Sequence, residues 1–154
     1  MPSLPHLSSP LSDGQISLRP AAERDIPEVL IAYQNDRLLP AALGEDRPPS
    51  GAALGRRSEL AEPERLAGRS LVLTIVEPGA DICLGEARID AVDWEQRRAE
   101  LRLWVVPERR GRGLGRRAHH LVAGWLETYC GLEAVCPKED EDGWRPGGSS
   151  FPPG

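Results

Sequence analysis

Apolar positions in this chain follow two rhythms, and the candidate chemistry lies where one gives way to the other. Ala99, Leu101, Leu103 and Val105 alternate with Arg98, Glu100, Arg102 and Trp104, a period of two that predicts a strand. From Leu114 the period lengthens. Leu114, Ala118, Leu121, Val122, Trp125, Leu126 and Tyr129 make one apolar stripe of a helix, and Gly131 is placed to stop it in the left-handed region. Pro107 has no N–H to give a sheet ladder, so the strand ends near it. Between strand and helix runs Glu108-Arg109-Arg110-Gly111-Arg112-Gly113, a turn rich in arginine and glycine.

The same reading places the remaining elements. Residues 16–19 predict a short first strand, and Asp25 a cap for a helix with Pro27 in its first turn and Ile26, Val29, Leu30 and Tyr33 facing inward. Arg47-Pro48-Pro49-Ser50-Gly51 marks a loop; a second helix follows over 58–66, with Ser58 as its cap and Pro63 as an interruption. Residues 70–76 are almost continuously apolar, as in a central strand, and Pro78-Gly79 turns the chain into a hairpin partner over 82–89. Residues 93–97 lead to the strand described above, and 132–136 form the last strand. The order strand, helix, helix, three strands, helix, strand predicts an α/β (α+β) fold: a mixed, largely antiparallel sheet with helices on both faces. Residues 1–14, rich in proline and serine, read as a flexible leader with no share in the core, and 15–136 as the folded domain. The acidic run Glu139-Asp140-Glu141-Asp142 and the Gly/Pro-rich remainder make 137–154 a disordered tail.

Composition narrows the classes. At 154 residues, 40% hydrophobic and 28% charged, the chain is an ordinary one-domain protein with room for a core. A formal net charge of −5 argues against a nucleic-acid partner held by the whole surface, so the arginine excess of the turn is a local feature. Three cysteines without a C-x-x-C pair, and three histidines, indicate neither a disulfide framework nor a metal site. Cys83 and Cys136 read as small buried hydrophobes. No apolar run reaches the ~18 residues that span a membrane, and the N-terminus lacks a secretory pattern. The expected compartment is the cytoplasm, with no membrane partner.

A glycine-rich turn at a helix start offers bare N–H groups at the positive end of the helix dipole, which suits phosphate. Two familiar phosphate loops fail on the residues. A P-loop needs Gly-Lys-Ser or Gly-Lys-Thr where this chain has Gly115-Arg116-Arg117, and a dinucleotide fingerprint needs a glycine where it has Arg116. A plain basic connection, or a patch for nucleic-acid phosphates, remains an alternative at this point.

What fits is the acetyl-CoA signature of the GNAT family of N-acetyltransferases: Arg or Gln-x-x-Gly-x-Gly or Ala between a strand and a helix. Arg110, Gly113 and Gly115 fill its three places, with Val105 and Pro107 at the matching distance upstream. The likeness extends over roughly residues 15–136, and Gly85-Glu86-Ala87 with Ala99-Glu100-Leu101 resembles the subgroup that acetylates N-termini of ribosomal proteins. The resemblance implies acetyl-CoA as cosubstrate. Backbone groups of Leu103, Trp104 and Val105 would hold the pantetheine arm, and Arg110, Gly111, Arg112, Gly113, Leu114, Gly115 and Arg116 the pyrophosphate. It further implies direct attack by a primary amine, from a small molecule, a lysine or a protein N-terminus, on a thioester polarised by an N–H near Val105 or Val106. The family's further C-terminal helix and strands, and the tyrosine they often supply as general acid, find no counterpart in the pattern after Cys136. That departure keeps a second reading open, a non-catalytic acyl-CoA-binding module, and would leave a sheet edge for a homodimer.

Attack by an amine needs a base and a leaving thiolate needs a proton. Glu100, five residues before Val105, is the first candidate base, and Glu86 on the neighbouring strand the second. The competing reading makes Glu100 an ordinary ion-pair partner of Arg98 or Arg102. Tyr33 and Tyr129 read as packing residues, and no cysteine is placed to carry an acyl group.

Overall fold

Leu71, Leu73 and Ile75 alternate with Val72, Thr74 and Val76, and this period of two gives the central strand two working faces. The computed structural model describes residues 2–135 and Pro137. Six strands form one sheet in the order β1 (Leu11–Ser12), β2 (Ser17–Pro20), β3 (Leu71–Glu77), β4 (Ala80–Asp93), β5 (Arg98–Val105), β6 (Glu133–Val135). Neighbours are antiparallel except β5 and β6, which are parallel and joined by the long helix α4 (Leu114–Trp125). Helix α1 (Ile26–Asn35), the short α2 (Leu39–Ala42) and α3 (Gly51–Leu66) lie between β2 and β3 in the chain.

The two faces bury different chemistry. Leu18, Leu73, Ile75, Ala87, Ile89, Leu101, Leu103 and Val105 pack against Ala118, Val122, Trp125 and Leu126 of α4 and its extension. Opposite them, Cys83 and Trp104 pack against Val29, Ala32 and Tyr33 of α1 and Leu54 of α3. Helices on both faces of a mixed sheet are what the pattern predicted. Helix α4 runs on as a π-helical turn over Leu126–Cys130 and is stopped by Gly131 at φ 67°.

Several expectations need correction. Leu4 lies wholly buried in the main core, and Leu7 and Leu11 pack against it, so residues 1–14 do share in the core. Their proline and serine content suggested disorder, but β1 pairs with β2, and Leu4 exchanges backbone and guanidinium hydrogen bonds with Arg65. The second helix starts at Gly51, not near 58, and its cap is Ser50, whose hydroxyl accepts the Ala53 N–H at 3.0 Å. Asp25 does not cap α1. Its carboxylate turns inward to the Ala22 N–H, Arg19 and the Thr74 hydroxyl. The expected acidic tail and the end of the last strand at Cys136 lie outside the described residues, Pro137 aside.

Candidate active site

β5 is registered with β4 from Val105, opposite Gly85, back to Arg98, opposite Asp93. On its other side β6 is registered only with Arg98, Ala99 and Glu100. β6 is described as far as Val135, opposite Glu100, and among the described residues 101–105 have no strand neighbour on that side, so that a gap lies beside them there.

Alternation decides which main-chain groups face the gap. The Arg97 carbonyl accepts from Glu133 on the β6 side at 2.8 Å, while the Val106 N–H donates to the Leu84 carbonyl on the β4 side at 2.8 Å. Odd-numbered residues of β5 therefore turn their N–H and C=O groups toward the gap, and even-numbered ones toward β4. Leu103 and Val105 face the gap. The Trp104 backbone faces β4, where an added Cβ on Gly85 would lie 2.1 Å from its carbonyl oxygen. The Val106 N–H, spent on Leu84, is not a donor to the gap.

Beyond Val105 the chain makes a tight helical turn at Pro107–Arg109, passes Gly111 and Gly113 at φ 83° and 75°, and enters α4. Both glycines take the left-handed backbone that other residues resist. The first backbone bond of the helix runs from the Arg117 N–H to the Gly113 carbonyl at 3.0 Å. Among the described residues, the N–H groups of Gly111, Arg112, Gly113, Leu114 and Gly115 donate to no protein acceptor. Gly111 and Arg112 are exposed, and a Cβ built on Gly113 would meet nothing within 4 Å. A row of donors without an acceptor among the described residues thus stands at the positive end of a helix dipole, exposed at Gly111 and Arg112 and buried at Gly115.

The arginines are less available than their number suggests. Arg109 is bound to Glu77, and Arg117 to Asp13 at 2.8 Å. Arg110 donates through Nε to the Val105 carbonyl at 2.9 Å and through Nη2 to Asp36. Arg112 is exposed.

The two candidate carboxylates separate clearly. Glu86 is fully buried, with Oε2 accepting from Arg57 at 2.5 Å and Oε1 from the Trp104 indole at 3.0 Å. It is committed to structure. Glu100 stands at the last registered position before the gap; its side chain is 34% exposed and its Arg102 partner lies 3.9 Å away, beyond hydrogen-bond distance. Tyr33 donates to Glu45 at 2.7 Å and accepts from Arg88 at 3.0 Å; burial, only partly opposed by Arg88, pushes its phenol up to about 12. Burial, reinforced by the Glu86 charge, pushes the Cys83 thiol up to about 12, which disarms it as a nucleophile. Tyr129 is 69% exposed at the far end of the motif helix. Among the described residues no three His, Cys, Asp or Glu gather as a metal site, and no helix is long and apolar enough to cross a membrane.

With that geometry in view, comparison with known proteins is decisive. The family model of the acetyltransferase (GNAT) domain matches residues 15–142. The chain belongs to the GNAT acetyltransferase family. No curated protein matches its sequence. Solved GNAT structures share its fold at low identity. Spermidine N-acetyltransferase from Vibrio cholerae, in complex with CoA and spermine, superposes with a TM-score of 0.66 at 18% identity over 85% of this chain and 76% of that one. Mycobacterium smegmatis RimJ, in complex with CoA-disulfide, gives 0.62 at 21% identity over 86% and 68%. An acetyltransferase from Salmonella typhimurium that modifies the N-terminal serine of a ribosomal subunit protein gives 0.64 at 14% identity over 75% and 66%. As a GNAT member the chain is an N-acetyltransferase by class. Arg57 and Asp36 were missed in the sequence, since both act across long sequence separations and carry no local motif.

Proposed function

We propose that this chain transfers acetyl from acetyl-CoA to a primary amine by direct attack, with the 111–116 turn holding the pyrophosphate. The carrying observation is that five successive amides, from Gly111 to Gly115, have no acceptor among the described residues and closely follow the strand whose residues 101–105 have no described strand neighbour on the β6 side. The fit follows from shape and charge: N–H groups without an acceptor among the described residues, open space above Gly113, and the exposed cation Arg112 suit a diphosphate. Leu103 and Val105 present gap-facing backbone groups for the amides of a pantetheine arm, in the manner of an added strand. The side chain of Trp104 instead walls the opposite face beside Tyr33.

Acetyl-CoA supplies an activated thioester; the chain supplies position, polarity and a proton acceptor. Glu100, at the mouth of the gap, takes the proton of the incoming ammonium directly or through water. The Val105 N–H, unlike that of Val106, points where a developing oxyanion needs a donor. The high pKa of Cys83 supports direct attack over an acyl-enzyme. The acceptor is a small amine or a protein N-terminus; the fold neighbours named above include both kinds.

Calorimetry with CoA, followed by thiol release against a panel of amines, tests this. Gly113→Glu, which puts a carboxylate among the free amides, is expected to abolish CoA binding while the circular dichroism stays native. Glu100→Gln is expected to lower kcat about 10²–10³-fold with CoA affinity kept. Unchanged CoA affinity in Gly113→Glu overturns the binding site, and full turnover in Glu100→Gln overturns the base.

A further inference from the structure

We infer that Asp36 is a positioning residue for the phosphate-holding turn: its carboxylate braces Arg110 against the end of β5, so that Arg110 orients the turn and leaves the phosphates to the amides. The inference rests on the acetyl-CoA reading of that turn.

Asp36 directly follows the last residue of α1. A carboxylate there adds negative charge to the negative end of the helix dipole, an unfavourable position unless a cation answers it. Its side chain is 13% exposed, and the answering cation is Arg110, itself 26% exposed. The second carboxylate oxygen accepts the Leu38 N–H at 3.1 Å, which fixes the bend between α1 and α2. One side chain thereby joins the helical layer on the Trp104 face of the sheet to a residue 74 positions away in the signature.

Arg110 uses its planar fork in two directions. Nε holds the Val105 carbonyl, and Nη2 holds Asp36. Val105 is the last residue of β5 and faces the gap, so this contact sets how the strand end meets the turn. A guanidinium engaged in this way has its charge matched and its fork aimed at protein. Gly111, the first residue with an unspent amide, follows it immediately, so any shift of Arg110 shifts the donor row.

The test is a double-mutant cycle read by CoA calorimetry on the full chain, using Asp36→Asn, Arg110→Ala and the pair, with Asp36→Glu and Arg110→Lys as controls. Asp36→Asn and Arg110→Ala are each expected to weaken CoA about tenfold, and the pair no more than the worse single change. Arg110→Lys keeps the charge but loses the fork, so it should weaken CoA like Asp36→Asn; Asp36→Glu should recover most of the affinity. A loss of fold alone would not be rescued by Asp36→Glu. The inference is overturned if Asp36→Asn binds CoA as well as or better than wild type. It also falls if losses multiply in the pair, or if Arg110→Lys binds normally, since Arg110 would then be a phosphate ligand. No CoA binding by the wild-type chain would sink the acetyl-CoA reading itself, an outcome distinct from all of these.

Discussion

Two carboxylates with opposite electrostatics, Asp25 and Asp90, show how individual side chains trade stability for placement. Burial alone would push the Asp25 carboxyl up, but Arg19, the Ala22 N–H and the Thr74 hydroxyl outweigh it and hold the group below the usual carboxylate range. The unfolded chain then binds the proton more tightly than the folded one, so this contribution is complete above the ordinary range and is lost as pH falls below about 4. Asp25→Asn should cost about 3 kcal/mol at pH 7 by leaving Arg19 without its buried partner, with a smaller difference at pH 3, as read from urea unfolding at both pH values. Asp90 is the reverse case. Burial raises its carboxyl despite Arg102 and Arg88, and it lines a cleft of about 610 Å³ beside α3. Its folded form favours the proton, so the stabilising contribution is present in acid and lost as pH rises through the raised value. Asp90→Asn should therefore raise the melting temperature at pH 7 and lose that advantage near pH 3. An unchanged melting temperature at both would show that the two arginines cancel the burial.

The strands and helices show which signals travel in sequence and which do not. Gly85 lies against the β5 backbone with no room for a Cβ, and a bulge sits beside it between the Ile75 and Val76 pairings. Gly85→Ala would put a Cβ 2.1 Å from the Trp104 oxygen and 3.0 Å from the Val105 Cα, and backbone atoms cannot rotate aside. It should destabilise by about 3 kcal/mol and weaken CoA binding together, because the strand it displaces carries the gap; native affinity with reduced stability would separate the two. β5, α4 and Gly131 were legible in the sequence because their apolar periods are strong and each ends on a glycine or proline. α3 was half legible. Only Leu54 is buried along its sixteen residues, so almost no apolar stripe announces its first two turns, and the Ser50 cap had looked like part of a loop. The candidate site divides in the same way. Gly111, Gly113 and Glu100 sit in one continuous motif, whereas the ties of Glu86 to Arg57 and of Arg110 to Asp36 exist only once the helices dock.

At the level of the assembled chain, the N-terminal segment is a strap across the fold. Leu4 is fully buried, its N–H and C=O are both bound to Arg65, and the Ser3 hydroxyl donates to Leu66 at 2.7 Å at the end of α3. Further on, Leu11–Ser12 pairs with β2, and Asp13 reaches Arg117 in the first turns of α4. The segment therefore binds α3, the sheet edge and the helix that carries the phosphate turn, three elements far apart in sequence. Composition could not reveal this, because a Pro- and Ser-rich stretch becomes ordered only when a finished core offers Leu4 a place. Leu4→Ala should then cost about 2–5 kcal/mol, seen as a lower urea midpoint with an unchanged slope. Deleting residues 2–12 removes the same anchor and the β1 pairing as well, so it should lower the midpoint further. CoA at a hundred times its dissociation constant should still add about 2.7 kcal/mol to the Leu4→Ala protein, because Asp13 and Arg117 are untouched. An unchanged midpoint in both variants would return residues 1–14 to the status of a dispensable leader.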